Sequence, residues 1–213
     1  QISIDVAEGT NYVAKANIEI GSFVIEKIAP SAADFTFTAP ANLVFDGKAK
    51  YAQVVPAAGI EGMGNISVKY NGETTAPSAI GTYTVTVAVA AGSNYLAAES
   101  IEDSSWTFTI AKATAPIFEE LVKTVQYQDR KEQTVNLSKL MPSAAGKLTY
   151  AIGTVGGMHP AIIAETPAIS EEGILTFKLS DNSVDIGMNA IIPVTITSEN
   201  YEPATTGIYP CRG

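Results

Sequence analysis

One histidine and one cysteine bound the nucleophilic and transition-metal chemistry open to this chain. His159 stands in the loop G-G-M-H-P, and neither Cys211 nor a G-x-S-x-G serine is near it in sequence. A hydrolytic triad needs a nucleophile, a base and a group that orients the base. No second histidine is available for a zinc site, so His159 reads as a turn residue before Pro160. Oxygen ligands are more plentiful. Asp181, Asn182, Ser183 and Asp185 in S-D-N-S-V-D-I-G place several oxygens in a tight loop, which suits a hard cation. The stretch lacks the third acidic ligand, the mid-loop glycine and the distant bidentate glutamate of a calcium loop, and an Asx-type turn is the plainer reading. Glu99, Glu102 and Asp103 form a second acidic loop with the same two readings. Calcium at either would stiffen the chain rather than react. No catalytic, cofactor-binding or metal-ligating residue is assigned, and no enzyme activity is expected.

Three further sets of residues invite a functional reading. Lys27 and Lys112 end two similar strands; an intramolecular isopeptide bond would need such a lysine buried beside an Asn and a carboxyl, whereas both flank a linker where a solvated strand-end lysine is the simpler case. Trp106 has the shape of a sugar-stacking platform. Its alternation with Phe108 and Ile110 places it instead on an inward stripe, and Ser22 stands at the matching place in an earlier copy. Tyr12, Tyr95 and Tyr201 recur at one repeat position, as structural rings with a hydrogen-bonded hydroxyl would.

The elements that carry these residues are repeated. ISIDVAEGTNY, ending at Tyr12, returns as VTVAVAAGSNY, ending at Tyr95, 83 residues later. Each copy runs an alternating strand into A-x-G-[TS]-N-Y and resumes with an aromatic-led strand, SFVIEKIAP or WTFTIAKATAP. A weaker third copy is VTITSENYEPA, around Tyr201. Self-similarity at a fixed period marks a modular architecture. The modules expected are residues 1–30, the back half of an incomplete unit; 31–115, complete; and 116–213, more divergent. Strands are expected in the first at Ile2 to Val6 and again around Phe23 and Ile25. The second should have strands at 35–38, 43–45, 50–55, 66–70, 82–90 and 106–111, and the third at 124–127, 134–137, 147–152, 174–179, 190–197 and 206–209. In 82–90, Tyr83, Val85, Val87 and Val89 face one way and Thr84, Thr86 and Ala88 the other, so one face is dry and one wet. The segment NLSKLMPS has room for one helical turn before Pro142. Two half-apolar sheets face to face make a β-sandwich, and short Pro-containing joints make a semi-rigid rod of such sandwiches.

Composition agrees with an all-β chain of tandem sandwich modules. Hydrophobic residues are 46% and charged ones 16%, enough apolar material for packed cores. A net charge of −9, with 13 basic against 22 acidic residues, repels phosphate backbones and anionic lipid surfaces, so neither nucleic acid nor membrane is an expected partner. The residues show no signal peptide, anchor motif or 18-residue apolar span, and the opening in mid-module is expected to mark a piece of a longer repetitive protein, with an unusual two-stranded extension as the alternative.

At NGETTAPSAIGTYTVTVAVAAGSNYLAA followed by WTFTIAKA, the second module resembles the MBG or YDG-type Ig-like repeats of bacterial surface proteins. The matching elements are Phe45-Asp46-Gly47, Tyr70-Asn71-Gly72, Gly81-Thr82-Tyr83-Thr84-Val85, the Asn-Tyr pair and F-T-I-x-K-A; Ile80 replaces the usual small residue before Gly81. The resemblance extends to the surviving half of the first module and the end of the third, where G-I-L-T-F (173–177) is similar to cadherin-like bacterial modules. It implies extracellular stalks and adhesive arrays with no shared catalytic residues. The expected function is thus a structural or adhesive spacer at the cell surface, with binding of a glycan or host protein through loops as the alternative. The lone strands of the first module are expected to pair edge to edge with another copy.

Overall fold

The computed structural model describes residues 1–126, 129, 131–180 and 187–213, and they form an all-β chain. Its strands are β1 (Ile2–Val6), β2 (Lys15–Gly21), β3 (Phe35–Thr38), β4 (Gln53–Pro56), β5 (Ile66–Tyr70), β6 (Gly81–Val89) and β7 (Ala98–Ile110), followed by β8 (Leu121–Val125), β9 (Gln133–Asn136), β10 (Leu148–Ile152), β11 (Ala168–Ile169), β12 (Ile174–Phe177), β13 (Ile192–Ser198) and β14 (Ala204–Arg212). Among the described residues helix is confined to single 3₁₀ turns, one of them Ser143–Ala145 just beyond Pro142. Among the described residues no helix is long and apolar enough to cross a membrane.

The chain divides into two compact units. One comprises Gln1–Ala39, Ala52–Thr75 and Thr84–Trp106, the other Pro40–Tyr51, Ala76–Tyr83 and Thr107–Gly213. In the first, β5 runs antiparallel to β6 with Ile66 opposite Val89, Val68 opposite Val87 and Tyr70 opposite Val85. The period-two pattern puts Val85, Val87 and Val89 on one face, and all three are buried. Strands β3 and β4 pair from Phe35 with Pro56 to Thr38 with Gln53, and β3 sets Phe35 edge-on and Phe37 stacked against Trp106, with ring centroids 6.0 and 6.2 Å away. The Tyr70 hydroxyl accepts the Ala52 N–H at 3.0 Å, which satisfies a buried donor without a strand partner.

In the second unit one sheet has the order β10-β13-β14-β8 and another β11-β12-β9. Alternate residues of β13 (Ile192, Val194, Ile196), of β14 (Ala204, Ile208) and of β12 (Leu175, Phe177) form one core with Val125, Leu137 and Ile162. This is the sandwich logic of two sheets sharing their dry faces. The outermost pairing is parallel, with Ile208 of β14 opposite Leu121 of β8.

Four expectations need correction. Residues 22–27 form no strand, and Phe23 and Ile25 are exposed; the second strand of the first repeat is β2, whose Lys15 stands three residues beyond Tyr12, just as Ala98 of β7 stands three beyond Tyr95. In the second repeat the later part of β7 has β6 beside it, with the hydroxyls of Thr82 and Thr109 2.9 Å apart, whereas residues 22–27 lie in no strand, and an apolar run without a paired neighbour does not form one. Second, 43–45 makes only a parallel bridge, Phe45 N–H to Ala111 O and Ala111 N–H to Leu43 O. Third, Glu99, Glu102 and Asp103 are not a loop but part of β7. Ile101 between them is buried, so strand alternation outweighs their charge. Fourth, β4 begins at Gln53, and Lys50 ahead of it is held in another way, described below.

Candidate functional site

The geometry that recurs is a corner and the linker strand laid against it. Each Asn-Tyr pair sits in a corner closed over three residues. At the second, Gly92 N–H donates to Tyr95 O at 3.0 Å. At the third, the Ser198 hydroxyl donates to Tyr201 O and accepts Tyr201 N–H, at 3.1 and 3.0 Å. Against each lies the residue that follows the strand-end lysine. Ile28 N–H donates to Asn94 O at 3.0 Å and Leu96 N–H to Ile28 O at 2.9 Å; Ala113 N–H donates to Asn200 O at 2.9 Å and Glu202 N–H to Ala113 O at 2.8 Å. Both are parallel bridges, to Tyr95 and to Tyr201. The register is therefore identical in the two places. Because these bonds involve only backbone, they tolerate Ile in one linker and Ala in the other.

Side chains reinforce the second joint. The Lys112 ammonium donates to Ser198 O at 2.7 Å in a partly buried position, so neither an isopeptide nor a solvated lysine describes it. Lys27, at the same repeat position, is exposed. The Tyr201 ring meets Phe45 edge-on at 6.1 Å, and Tyr95 is buried, but Tyr12 is 76% exposed. Two of the three rings are thus packed, and the bonds that recur are made by the backbone rather than by the hydroxyls.

The remaining candidates sort by burial. Trp106 is 5% exposed and belongs to the core, as its alternation predicts. His159 precedes a 3₁₀ turn at Pro160–Ile162 and donates its N–H to Asn189 O at 3.1 Å. Asn189 also bridges Cys211, so the fold brings the backbones of His159 and Cys211 to one residue, a proximity invisible in sequence. Asp181, Asn182, Ser183 and Asp185 lie outside the described residues. Asp103 accepts both the N–H and the hydroxyl of Ser105, at 2.8 and 2.6 Å, and these bonds hold its carboxyl below the usual range. Among the described residues no group of three or more His, Cys, Asp or Glu could hold a metal ion.

Two features were not foreseen. Lys50 is buried and pairs with Asp46 at 2.8 Å; the bond lowers the Asp46 carboxyl, helped by Lys48 N–H. The signal was present, since Lys50 shares a period-two stripe with Ala52 and Val54, both buried. The other is an open cleft of about 540 Å³ lined by Lys147, Leu148, Tyr150, Ile169, Ser170 and Glu172 among others. Burial raises the Tyr150 phenol, and the bond from Ser170 lowers the Glu172 carboxyl.

Residues 33–114 match the family model of the MBG domain. The match falls within residues 31–115 and agrees with their resemblance to MBG-type bacterial surface modules. No curated protein matches the chain.

Proposed function

We propose that these residues are a non-catalytic spacer of a secreted or cell-wall-attached bacterial surface protein, built of successive Ig-like repeats at 1–30, 31–115 and 116–213. The observation that carries the reading is the shared register of Ile28 on Tyr95 and Ala113 on Tyr201. A linker fixed by two backbone hydrogen bonds, each contributing about 0.5–1.5 kcal/mol net, is a stiff joint rather than a hinge. Serial stiff joints hold whatever the parent protein carries at a set distance from the cell, and the work is mechanical. Backbone ¹⁵N relaxation tests this directly. The amides of Ile28 and Ala113 should have order parameters near the rigid value of about 0.85; values below about 0.6 would mean mobile linkers and would remove the spacer reading.

The Tyr150 cleft favours a second reading, adhesion through a glycan or host-protein ligand. It has an aromatic ring and hydrogen-bonding side chains. A glycan array probed with this protein and its Tyr150→Ala variant tests it; signal lost in the variant supports adhesion at the cleft, and no signal from either removes it.

A further inference from the structure

The second unit brings the edges of both its sheets to one cleft. Strand β10 ends the order β10-β13-β14-β8, β11 ends the order β11-β12-β9, and the cleft around Tyr150 is lined from both. Its lining falls within residues 147–172, between β9 and β12 along the chain. The pairs from Leu148 with Ser198 to Ile152 with Val194 run without a shift, and one step further Gly153 N–H donates to Pro193 O at 2.8 Å. Bonded and unbonded pairs alternate along an antiparallel ladder, so Thr149 and Ala151 turn their backbone groups to β13, and Leu148, Tyr150 and Ile152 turn theirs away. Among the described residues no strand pairs with that outer edge. The same three residues pack their side chains on the core yet are only partly buried. The hydroxyl end of the Tyr150 ring lies over Gly173, where an added Cβ would strike it. Aliphatic Leu148 and Ile169 line the cleft with this ring, and the turn after β11 adds Glu171 and Glu172 against the single base Lys147.

We propose that the cleft takes an extended, basic peptide segment of a partner protein, which adds antiparallel to the outer edge of β10, sends alternate aliphatic side chains in against Leu148, Tyr150 and Ile169, and sets a Lys or Arg beside Glu171 and Glu172. The proposal rests on the adhesion reading of this cleft and chooses protein over glycan. Outward backbone groups recur at every second residue of β10, about 6.8 Å apart, a spacing that an added strand matches donor for acceptor. A sugar has no such repeat, and stacking would need a ring that Gly173 partly covers. Charge makes the partner a different protein. Both glutamates are exposed, the lining carries two acids against one base, and the net charge of −9 repels a second copy or another repeat of the same acidic composition.

The test titrates the full chain with a synthetic peptide, Ser-Val-Thr-Ile-Thr-Val-Thr-Arg-Gly, and reads amide hydrogen exchange residue by residue. Its valines oppose Ile152 and Leu148, its isoleucine opposes Tyr150, and its arginine lies beyond Leu148 toward the glutamates. At about ten times the dissociation constant, exchange at Leu148, Tyr150 and Ile152 slows about tenfold, while Thr149 and Ala151, already bonded to β13, change little. N-methylation of the valines and isoleucine, whose N–H groups face β10, abolishes the protection, and N-methylation of the threonines leaves it. Glu in place of Arg weakens binding about fivefold at low salt. Absence of the alternating pattern at saturating peptide, equal protection by both methylated peptides, or binding unweakened by the Glu peptide overturns the proposal. So does protection of the same amides that grows with protein concentration alone and accompanies a dimer mass in light scattering, since a second copy then fills the edge. A glycan-array signal lost in Tyr150→Ala, with no peptide binding, also overturns it but leaves adhesion at the cleft standing, and silence in both assays removes both. Because the controls are changes in the peptide, the test survives a variant chain that fails to fold.

Discussion

Lys27 and Lys112 hold one repeat position, and the structure gives them opposite consequences. The Lys112 ammonium donates to Ser198 O at 2.7 Å, and Ser198 is buried. A hydrogen bond from a charged group contributes about 1.5–3 kcal/mol, and leaving a buried acceptor unpaired costs a similar amount. Lys112→Met keeps the aliphatic stem but deletes the donor. Against that loss stands the rotamer freedom of lysine, up to about 2 kcal/mol, which is no longer spent on ordering the side chain. The difference leaves about 1–2 kcal/mol of destabilisation, which at a urea slope of about 2 kcal/mol per molar moves the midpoint down by roughly 0.5–1 M. Lys27→Met, on an exposed side chain, should stay within about 0.5 kcal/mol of the parent. Urea titration followed by far-ultraviolet circular dichroism measures both, and hydrogen exchange at Ala113 and Glu202 shows whether the loss is local to the joint. Equal midpoints for the two variants would falsify the clasp.

The same paired logic applies to Gly92→Ala and Gly9→Ala. The first forces a methyl into the backbone of residues 62–64 and should cost about 1–3 kcal/mol, the second should be close to neutral, and thermal melts showing the reverse order would overturn the equivalence of the two corners. Trp106→Ala removes a ring packed on Phe35 and Phe37, for a loss of about 3–5 kcal/mol; a variant of parental stability would contradict a core role. The Asp46 carboxyl is lowered chiefly by its bond from Lys50, so its contribution to stability is complete above its unfolded pKa and is lost as pH falls through the lower folded one. Urea midpoints should therefore fall below about pH 4 less steeply in Asp46→Asn than in the parent, and identical slopes would show that the pair adds nothing.

Much of this was legible because strand alternation is local. The stripe through Val85, Val87 and Val89 and the inward place of Trp106 follow from sequence, since every second side chain shares a face. The joints were harder to see. Ile28 and Ala113 differ in side chain, and what they share, an N–H and a C=O in one register, leaves no mark on residue type. Lys112 looked solvated because its acceptor is a backbone carbonyl 86 positions away. Residues 22–27 read as a strand in sequence but form none, because an apolar run states what a segment would bury, not whether a neighbour is there to bury it.

That asymmetry bears on how such repeats diverge. A joint made of side-chain contacts would constrain both partners, and a change in one would need an answer in the other. Here the corner is closed by a glycine N–H at Gly92 and by a hydroxyl at Ser198, and the linker residue is Ile28 in one place and Ala113 in the other, yet the bonds to the linker fall within 0.1 Å of each other. Repeats can then change faces, lose an aromatic or acquire a cleft such as that around Tyr150 without losing the register that connects them. The geometry that the two joints share lies in the backbone, and the side chains on top of it are free to vary.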